Sequence, residues 1–253
     1  MSLNRRSFLR IGGLVIAGFT LRPAYALLSA PTAPSAASAK KRWAMLVDLH
    51  ASVDDKDRAE CIAACHRIHN VPSFQDPKRE IKWIWNAPFA EVFQEQVRPF
   101  TRDDIKRRPV LVLCNHCDNP PCVSVCPTKA TFKREEDGIV MMDYHRCIGC
   151  RYCMAACPYG ARSFNWSDPR PAIQAINESF PTRTRGVVEK CNFCEERLAK
   201  GQIPACVEAC KDKGLHFGDL NNPAAEIRRL LEGRFVLQRK PSLGTGPNVY
   251  YLM

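Results

Sequence analysis

The alternation of apolar and polar positions predicts few elements, all of them short. Glu80-Ile-Lys-Trp-Ile-Trp85 alternates charged and apolar residues, the period-2 signature of a strand, with Trp83 and Trp85 on one face. Such an aromatic face either docks a partner or is buried under the segment that carries it. Asp137-Gly138 is a hairpin-type turn, and Ile139-Val-Met-Met142 after it is a short strand. Asn222-Pro223 predicts a helix start, Ile227, Leu230 and Leu231 share its inner face, and Gly233 closes it. Leu243 to Leu252 reads as a turn and a terminal strand. Near the N-terminus an apolar run from Ile11 to Leu21 is too short to span a bilayer, which takes about 20 residues.

That run lies between Asn4-Arg5-Arg6-Ser7-Phe8-Leu9-Arg10 and Arg22-Pro23-Ala24-Tyr25-Ala26, the charged start and small-residue cleavage site of an export signal. The paired arginines before Phe-Leu resemble a twin-arginine signal, whose pathway exports folded proteins. Residues 1–39 are expected to be signal peptide and linker, cleaved after Ala26 or Ala39, and the mature chain to be periplasmic. Folding before export suits thiols that must stay reduced until a cofactor is in place.

The 253 residues are 45% hydrophobic and 25% charged, enough for one or two domains with a core and incompatible with wholesale disorder. A formal charge of +11 would ordinarily suggest nucleic acid or an anionic surface. Fourteen cysteines change that reading. Three 4Fe-4S clusters would remove roughly six positive charges, because four thiolates around a 2+ core carry about −2. Arg5, Arg6, Arg10 and Arg22 leave with the leader. A loaded mature chain is then nearly neutral, and nucleic acid is not an expected partner.

The cysteines form three tetrads and a pair. Cys147-x2-Cys150-x2-Cys153-x3-Cys157-Pro158 has the bacterial ferredoxin spacing, in which three thiolates hold one cluster and the fourth reaches its neighbour. Cys114-x2-Cys117-x4-Cys122-x3-Cys126-Pro127 supplies the partner. Reciprocal exchange assigns Cys114, Cys117, Cys122 and Cys157 to one cluster and Cys147, Cys150, Cys153 and Cys126 to another. The third tetrad is Cys191, Cys194, Cys206 and Cys210, and the pair is Cys61 and Cys65.

The chain also repeats itself. Cys61-Ile-Ala-Ala-Cys65 echoes Cys153-Met-Ala-Ala-Cys157, and Val47-Asp48-Leu49-His50 echoes Met142-Asp143-Tyr144-His145. The N-terminal copy places Ser52 and Arg58 where thiols should stand. Neither replaces a thiolate, since Arg58 is a cation and a serine hydroxyl is far less acidic than a thiol. The exchange rule then gives the third cluster Cys191, Cys194, Cys206 and Cys65. A degenerate fourth site keeps only Cys61 and Cys210, expected to be free or disulfide-bonded; Asp54 or Asp55 as an oxygen ligand is the alternative. The expected fold is α+β, with two ferredoxin-like 4Fe-4S modules related by internal repeat within a polyferredoxin domain at 40–253. Module A spans 108–162 with motifs 114–126 and 147–157, and module B combines 43–70 with 186–220. Long inserts occupy 71–107 and 163–185, and a helix and strand occupy 221–253.

Zinc ribbons would leave the third thiol of each C-x2-C-x2-C unexplained, and a mature chain of about 225 residues needs no disulfide scaffold. An exported zinc- or disulfide-stabilised scaffold is the alternative from another class, and it would be colourless. His116 is expected to donate a hydrogen bond near a cluster and not to ligate it. His66 and His69 are expected on a solvated or packed helix face, and Lys190 either offsets cluster charge or sits at the surface. No nucleophile–base pair, phosphate loop or helical metal motif stands beside the cysteines, so no catalytic residue is expected.

Residues 43–252 resemble the polyferredoxin subunits that carry electrons in bacterial membrane-bound and molybdopterin oxidoreductases, such as dimethyl sulfoxide, polysulfide and nitrite reductases. Several segments look most like the DsrO type, the exported subunits of sulfite-reduction-associated complexes. They are Cys-Asn-His-Cys-Asp-Asn-Pro-Pro-Cys at 114–122, Gly-Ile-Val-Met-Met-Asp at 138–143, Arg-Gly-Val-Val-Glu-Lys-Cys at 185–191 and the terminal Gly-Thr-Gly-Pro-Asn-Val-Tyr-Tyr. The resemblance implies a periplasmic electron relay, held at the outer face of the membrane by partners: an integral membrane quinone-interacting subunit and a multihaem cytochrome c. It implies no bond-breaking chemistry in this chain. Where the wider family has four cysteines in the first motif, this chain has two. The alternative within the same chemistry is the electron-transfer subunit of a molybdopterin oxidoreductase.

Overall fold

Ala44, Met45, Leu46 and Val47 are consecutive and all buried, which requires a strand covered on both faces. The computed structural model describes residues 40–51, 55–210 and 214–253. The leader, Ser52 and Asp54 lie outside the described residues. In chain order the strands are β1 (Trp43–Asp48), β2 (Ile84–Pro88), β3 (Pro109–Leu113), β4 (Thr131–Lys133), β5 (Val140–Met142), β6 (Ser163–Phe164), β7 (Val188–Glu189), β8 (Leu215–Asp219), β9 (Val236–Leu237) and β10 (Val249–Leu252). The helices are α1 (Asp55–Ile68), α2 (Phe89–Val92), α3 (Asp103–Arg107), α4 (Pro121–Ser124), α5 (Tyr152–Ala156), α6 (Glu195–Leu198), α7 (Ala205–Ala209) and α8 (Glu226–Glu232).

β1 is an inner strand of a sheet ordered β8-β1-β10-β9, antiparallel to β8 with Met45 opposite Phe217 and parallel to β10 with Met45 opposite Val249. Side chains alternate across a strand. Ala44 and Leu46 therefore share one face, packed with Ile227 of α8 and with Leu252. Met45 and Val47 share the other, in the main core with Cys61, Cys65, Cys206 and Cys210. A Cβ at Gly218 would press on Ile227 Cγ2 at 2.8 Å, so this glycine sets how closely α8 covers the sheet. The other strands form antiparallel ribbons β2–β3, β4–β5 and β6–β7, and Val140, Met142, Phe164 and Val188 of the last two pack with Cys122, Cys147 and Cys153.

Two elements depart from the sequence pattern, each for a local reason. The strand expected over 80–85 begins only at Ile84, because Ile81 and Trp83 turn into the core and Ile84–Pro88 pair with β3. Trp83 donates its indole N–H to Glu189 at 2.9 Å, so it serves packing and not docking. The C-terminal helix begins at Glu226: Asn222 Oδ1 accepts the Ala224 N–H at 3.0 Å and its carbonyl accepts that of Ala225, closing a turn first. Gly233 ends the helix. The Asp137-Gly138 turn joins β4 to β5, with Gly138 at φ +75°.

The internal repeat is visible in the backbone. Asp48 Oδ1 accepts the N–H of His50 at 2.7 Å and of Ala51 at 3.3 Å. Asp143 Oδ1 accepts those of His145 at 2.9 Å and Arg146 at 3.3 Å. The Asp48 N–H donates to Gly214 and the Asp143 N–H to Ala130, both at 2.7 Å. Gly214 and Ala130 each follow the last cysteine of a tetrad by the same number of residues. One aspartate turn thus opens both copies of the motif. Among the described residues no helix is long and apolar enough to cross a membrane.

Candidate metal centres

Helical spacing puts Cys61 and Cys65 on one face of α1, and Cys206 and Cys210 on one face of α7 and its end. These faces pack together. Cys61 is disulfide-bonded to Cys210, with Cα atoms 5.5 Å apart, and Cys65 meets Cys206, so the helices run in opposite directions. Burial, then the thiols of Cys206, Cys191 and Cys194, push the Cys65 thiol well above its ordinary range. That gathers Cys65, Cys191, Cys194 and Cys206. Asp55, the alternative ligand at the site of Cys61 and Cys210, turns away from it: its side chain is 94% exposed and bonds Arg58.

Cys114, Cys117, Cys122 and Cys157 line one small cavity with Tyr159 and Arg162. Burial, followed by Cys114, pushes the Cys117 thiol up to about 12. Cys147 and Cys150 lie on the loop before α5 and Cys153 within it, and α5 packs on α4, whose end carries Cys126. Cys126, Cys147 and Cys150 are half-buried. The groups adjoin in one order. Cys122 bears on Cys153 across one boundary, and Cys114 bears on Cys191 across the other. The quartet of Cys114 therefore lies between the other two.

The first C-x2-C turn of each tetrad reverses through a left-handed third residue: His116 at φ 42°, Gly149 at φ 69° and Phe193 at φ 58°. That conformation costs a residue with a side chain about 1–2 kcal/mol. At Gly149 a side chain is also excluded by space, since a Cβ would overlap the Gly186 carbonyl oxygen. His116 and Phe193 occupy the same position in different motifs, and their rings stack at 3.7 Å.

The charges around the thiols are the part that sequence patterning misses. Arg162 is buried, and its Nη2 donates to Cys122 Sγ at 3.0 Å. Burial opposes its charge, but Cys122, Cys153 and Cys114 outweigh that and hold it above its ordinary range. Lys190 is buried and not at the surface, with its Nζ on the carbonyls of Val140 and Cys191. His69 is buried too: it stacks on Trp83 at 4.5 Å, and its ring nitrogens lie 2.9 Å from the Cys65 carbonyl oxygen and 2.9 Å from Glu196 Oε1. A sequence signal for His69 exists in its spacing, one helical turn beyond Cys65.

Three polar atoms between Cys114 and Cys117 are buried without a partner: Asn115 Oδ1 and Nδ2, and His116 Nε2. His116 Nδ1 accepts the Val140 N–H at 3.1 Å, which leaves the ring proton on Nε2, a donor with no acceptor. Orphaned donors and buried cations among convergent thiols fit an anionic cluster whose sulfurs accept hydrogen bonds.

Comparison with known proteins agrees with this chemistry. A family model for a 4Fe-4S dicluster domain matches residues 110–172 and 175–220. The chain is 42% identical to Hdr-like menaquinol oxidoreductase iron-sulfur subunit 1 of Archaeoglobus fulgidus, over 98% of this chain and 97% of that one. It is 36% identical to the iron-sulfur cluster-binding subunit of menaquinone reductase from Nitratidesulfovibrio vulgaris, over 84% of this chain and 89% of the other. It is 37% identical to one of the tetrathionate reductase subunits of Salmonella typhimurium, over 100% of this chain and 89% of the relative. With donors, charges and relatives in agreement, the chain belongs to the family of 4Fe-4S electron-transfer subunits of oxidoreductase complexes.

Proposed function

We propose that this chain is an exported electron relay of the DsrO type, serving a quinone-linked membrane complex of dissimilatory sulfur metabolism at the periplasmic face. The observation that carries the reading is its 42% identity, over 98% of its length, to a menaquinol oxidoreductase iron-sulfur subunit. The twin-arginine leader supports export. Membrane contact would run through an integral quinone-interacting subunit, with a multihaem cytochrome c as the other neighbour.

In this reading three clusters are held by Cys114, Cys117, Cys122 and Cys157, by Cys147, Cys150, Cys153 and Cys126, and by Cys191, Cys194, Cys206 and Cys65. Each cluster, when bound, takes up and gives back one electron at its irons. The chain's own residues supply position and environment. The C-x2-C turns present the thiols, and α1 and α7 bring Cys65 to Cys206. Buried Trp83, Phe193 and Tyr159 help keep water out. The Cys61–Cys210 disulfide occupies the place of a fourth cluster.

The second reading, a subunit of a molybdopterin oxidoreductase, draws on the likeness to the tetrathionate reductase protein. Purification of the tagged chain from solubilised membranes separates the two. An integral membrane subunit and c-type haem are expected, whereas a large pterin-binding subunit in their place would favour the second. Replacing Arg5 and Arg6 by lysine is expected to leave the protein in the cytoplasm; export of that variant would remove the twin-arginine route.

A further inference from the structure

Among the described buried cations, Arg183 has a carboxylate partner, whereas Arg162, Lys190 and Arg239 have none; Arg239 reaches only the Tyr159 carbonyl, at 3.4 Å. Arg183 pairs with Glu189 at 2.5 Å in the core. Arg162 is bonded instead to a thiol and a hydroxyl, with Nη2 3.0 Å from Cys122 Sγ and 2.6 Å from Thr131 Oγ1, while Nη1 lies 3.8 Å from Met142 Sδ. Lys190 Nζ reaches the carbonyls of Val140 and Cys191. A buried guanidinium does not shed its proton, and leaving it uncompensated is costly. Its counter-charge has to come from the thiols. Those facing Arg162 are Cys122, Cys153 and Cys114; those facing Lys190 are Cys114, Cys191 and Cys122. Cys114 and Cys122 face both cations, and both belong to the middle quartet. The outer quartets differ. In one, three thiols, Cys126, Cys147 and Cys150, are partly open to water, against Cys157 alone in the middle quartet, and in the other Cys65 and Cys194 have the Glu196 carboxylate beside them.

We propose that Arg162, seconded by Lys190, is a positioning residue that makes the middle cluster, on Cys114, Cys117, Cys122 and Cys157, the highest-potential site of the row. The proposal rests on the ligand sets given above. Reduction adds one electron to the irons, so a site of about −2 becomes about −3, and fixed positive charge favours the more negative state. The hydrogen bond from Arg162 to the Cys122 sulfur acts in the same direction. An electron entering from either end then rests in the middle, and the row holds one reducing equivalent until its acceptor is engaged.

The test is a mediated titration with dithionite of the full-length, anaerobically loaded protein, with reduced clusters followed by electron paramagnetic resonance. Iron content of the unaltered protein, about 12 per chain, checks the ligand sets separately from the potentials. Arg162→Gln is expected to lower the first midpoint by a tenfold change in the reduction equilibrium, about 59 mV for one electron. The other midpoints should stay within about threefold on the same scale, and Arg162→Lys should restore most of the loss. An unmoved first midpoint in Arg162→Gln at full iron content overturns the proposal. Should that variant lose iron, the unaltered protein decides. The signal of the first electron must be broadened by both later reductions, because a middle cluster has a neighbour on each side. A first signal that either later step leaves unchanged puts the first electron at an end of the row and overturns the proposal.

Discussion

His116 and Phe193 stack ring on ring at 3.7 Å and 18°, although they lie in different cysteine motifs. Each is the left-handed third residue of its C-x2-C turn, so one contact ties the turn of Cys114 and Cys117 to that of Cys191 and Cys194. Phe193 also meets Phe217 of β8 edge-on at 5.3 Å, which anchors the pair to the main sheet.

Phe193→Ala removes this tie and leaves a cavity, at an expected cost of about 3–5 kcal/mol. Bleaching of the visible absorbance in urea should be much faster than in the unaltered protein. Unchanged bleaching would show that the two turns are fixed by other contacts.

Cys61→Ser should leave about 12 irons per chain while lowering stability by about 2–5 kcal/mol, because the disulfide closes a long loop. The residues it joins are 149 apart in sequence. A fall to about 8 irons would make Cys61 a cluster ligand and refute its structural role.

The elements and residues differ in how legible they are from sequence, and the reason is chemical. Cluster ligands come in fixed spacings, so the three tetrads can be read directly, and the echo of Asp48 in Asp143 is enough to set Cys61 opposite Cys210. Arg162 carries no such mark. It stands in a stretch without periodicity, and nothing local separates it from Arg151, which is exposed over Trp166. What buries it is Cys122 and Thr131, brought in from 40 and 31 residues away. Trp83 and Glu189 are equally unreadable as a pair, being 106 residues apart.

Gly149→Ala places a methyl group against the Gly186 carbonyl in a left-handed turn. The conformational cost alone is about 1–2 kcal/mol, and the overlap adds to it. With Cys147 and Cys150 on either side, iron should fall from about 12 to about 8 per chain, with the remaining clusters intact by electron paramagnetic resonance. Full iron content would show that the loop shifts to accept the methyl group.

Glu189→Gln leaves Arg183 as a buried cation without a counter-ion. Glu189 also accepts from Trp83 at 2.9 Å and from Asn165 at 2.5 Å, so the whole polar knot loosens. The expected loss is about 3–5 kcal/mol, measured by urea unfolding under anaerobic conditions. A loss under about 1 kcal/mol would mean that the hydrogen bonds and not the charge hold the knot.

The bridge between Cys61 and Cys210 also works as a postmark. In a reducing cytoplasm two neighbouring thiols stay apart, and they couple once the surroundings turn oxidising. On the proposed route the chain would leave the cytoplasm folded and loaded, yet with this last cross-link unmade, and the destination compartment would finish it. Copies retained inside the cell would keep the leader and, in the mature part of the chain, carry two more hydrogens than delivered ones, a difference that mass mapping of the peptides holding Cys61 and Cys210 can read.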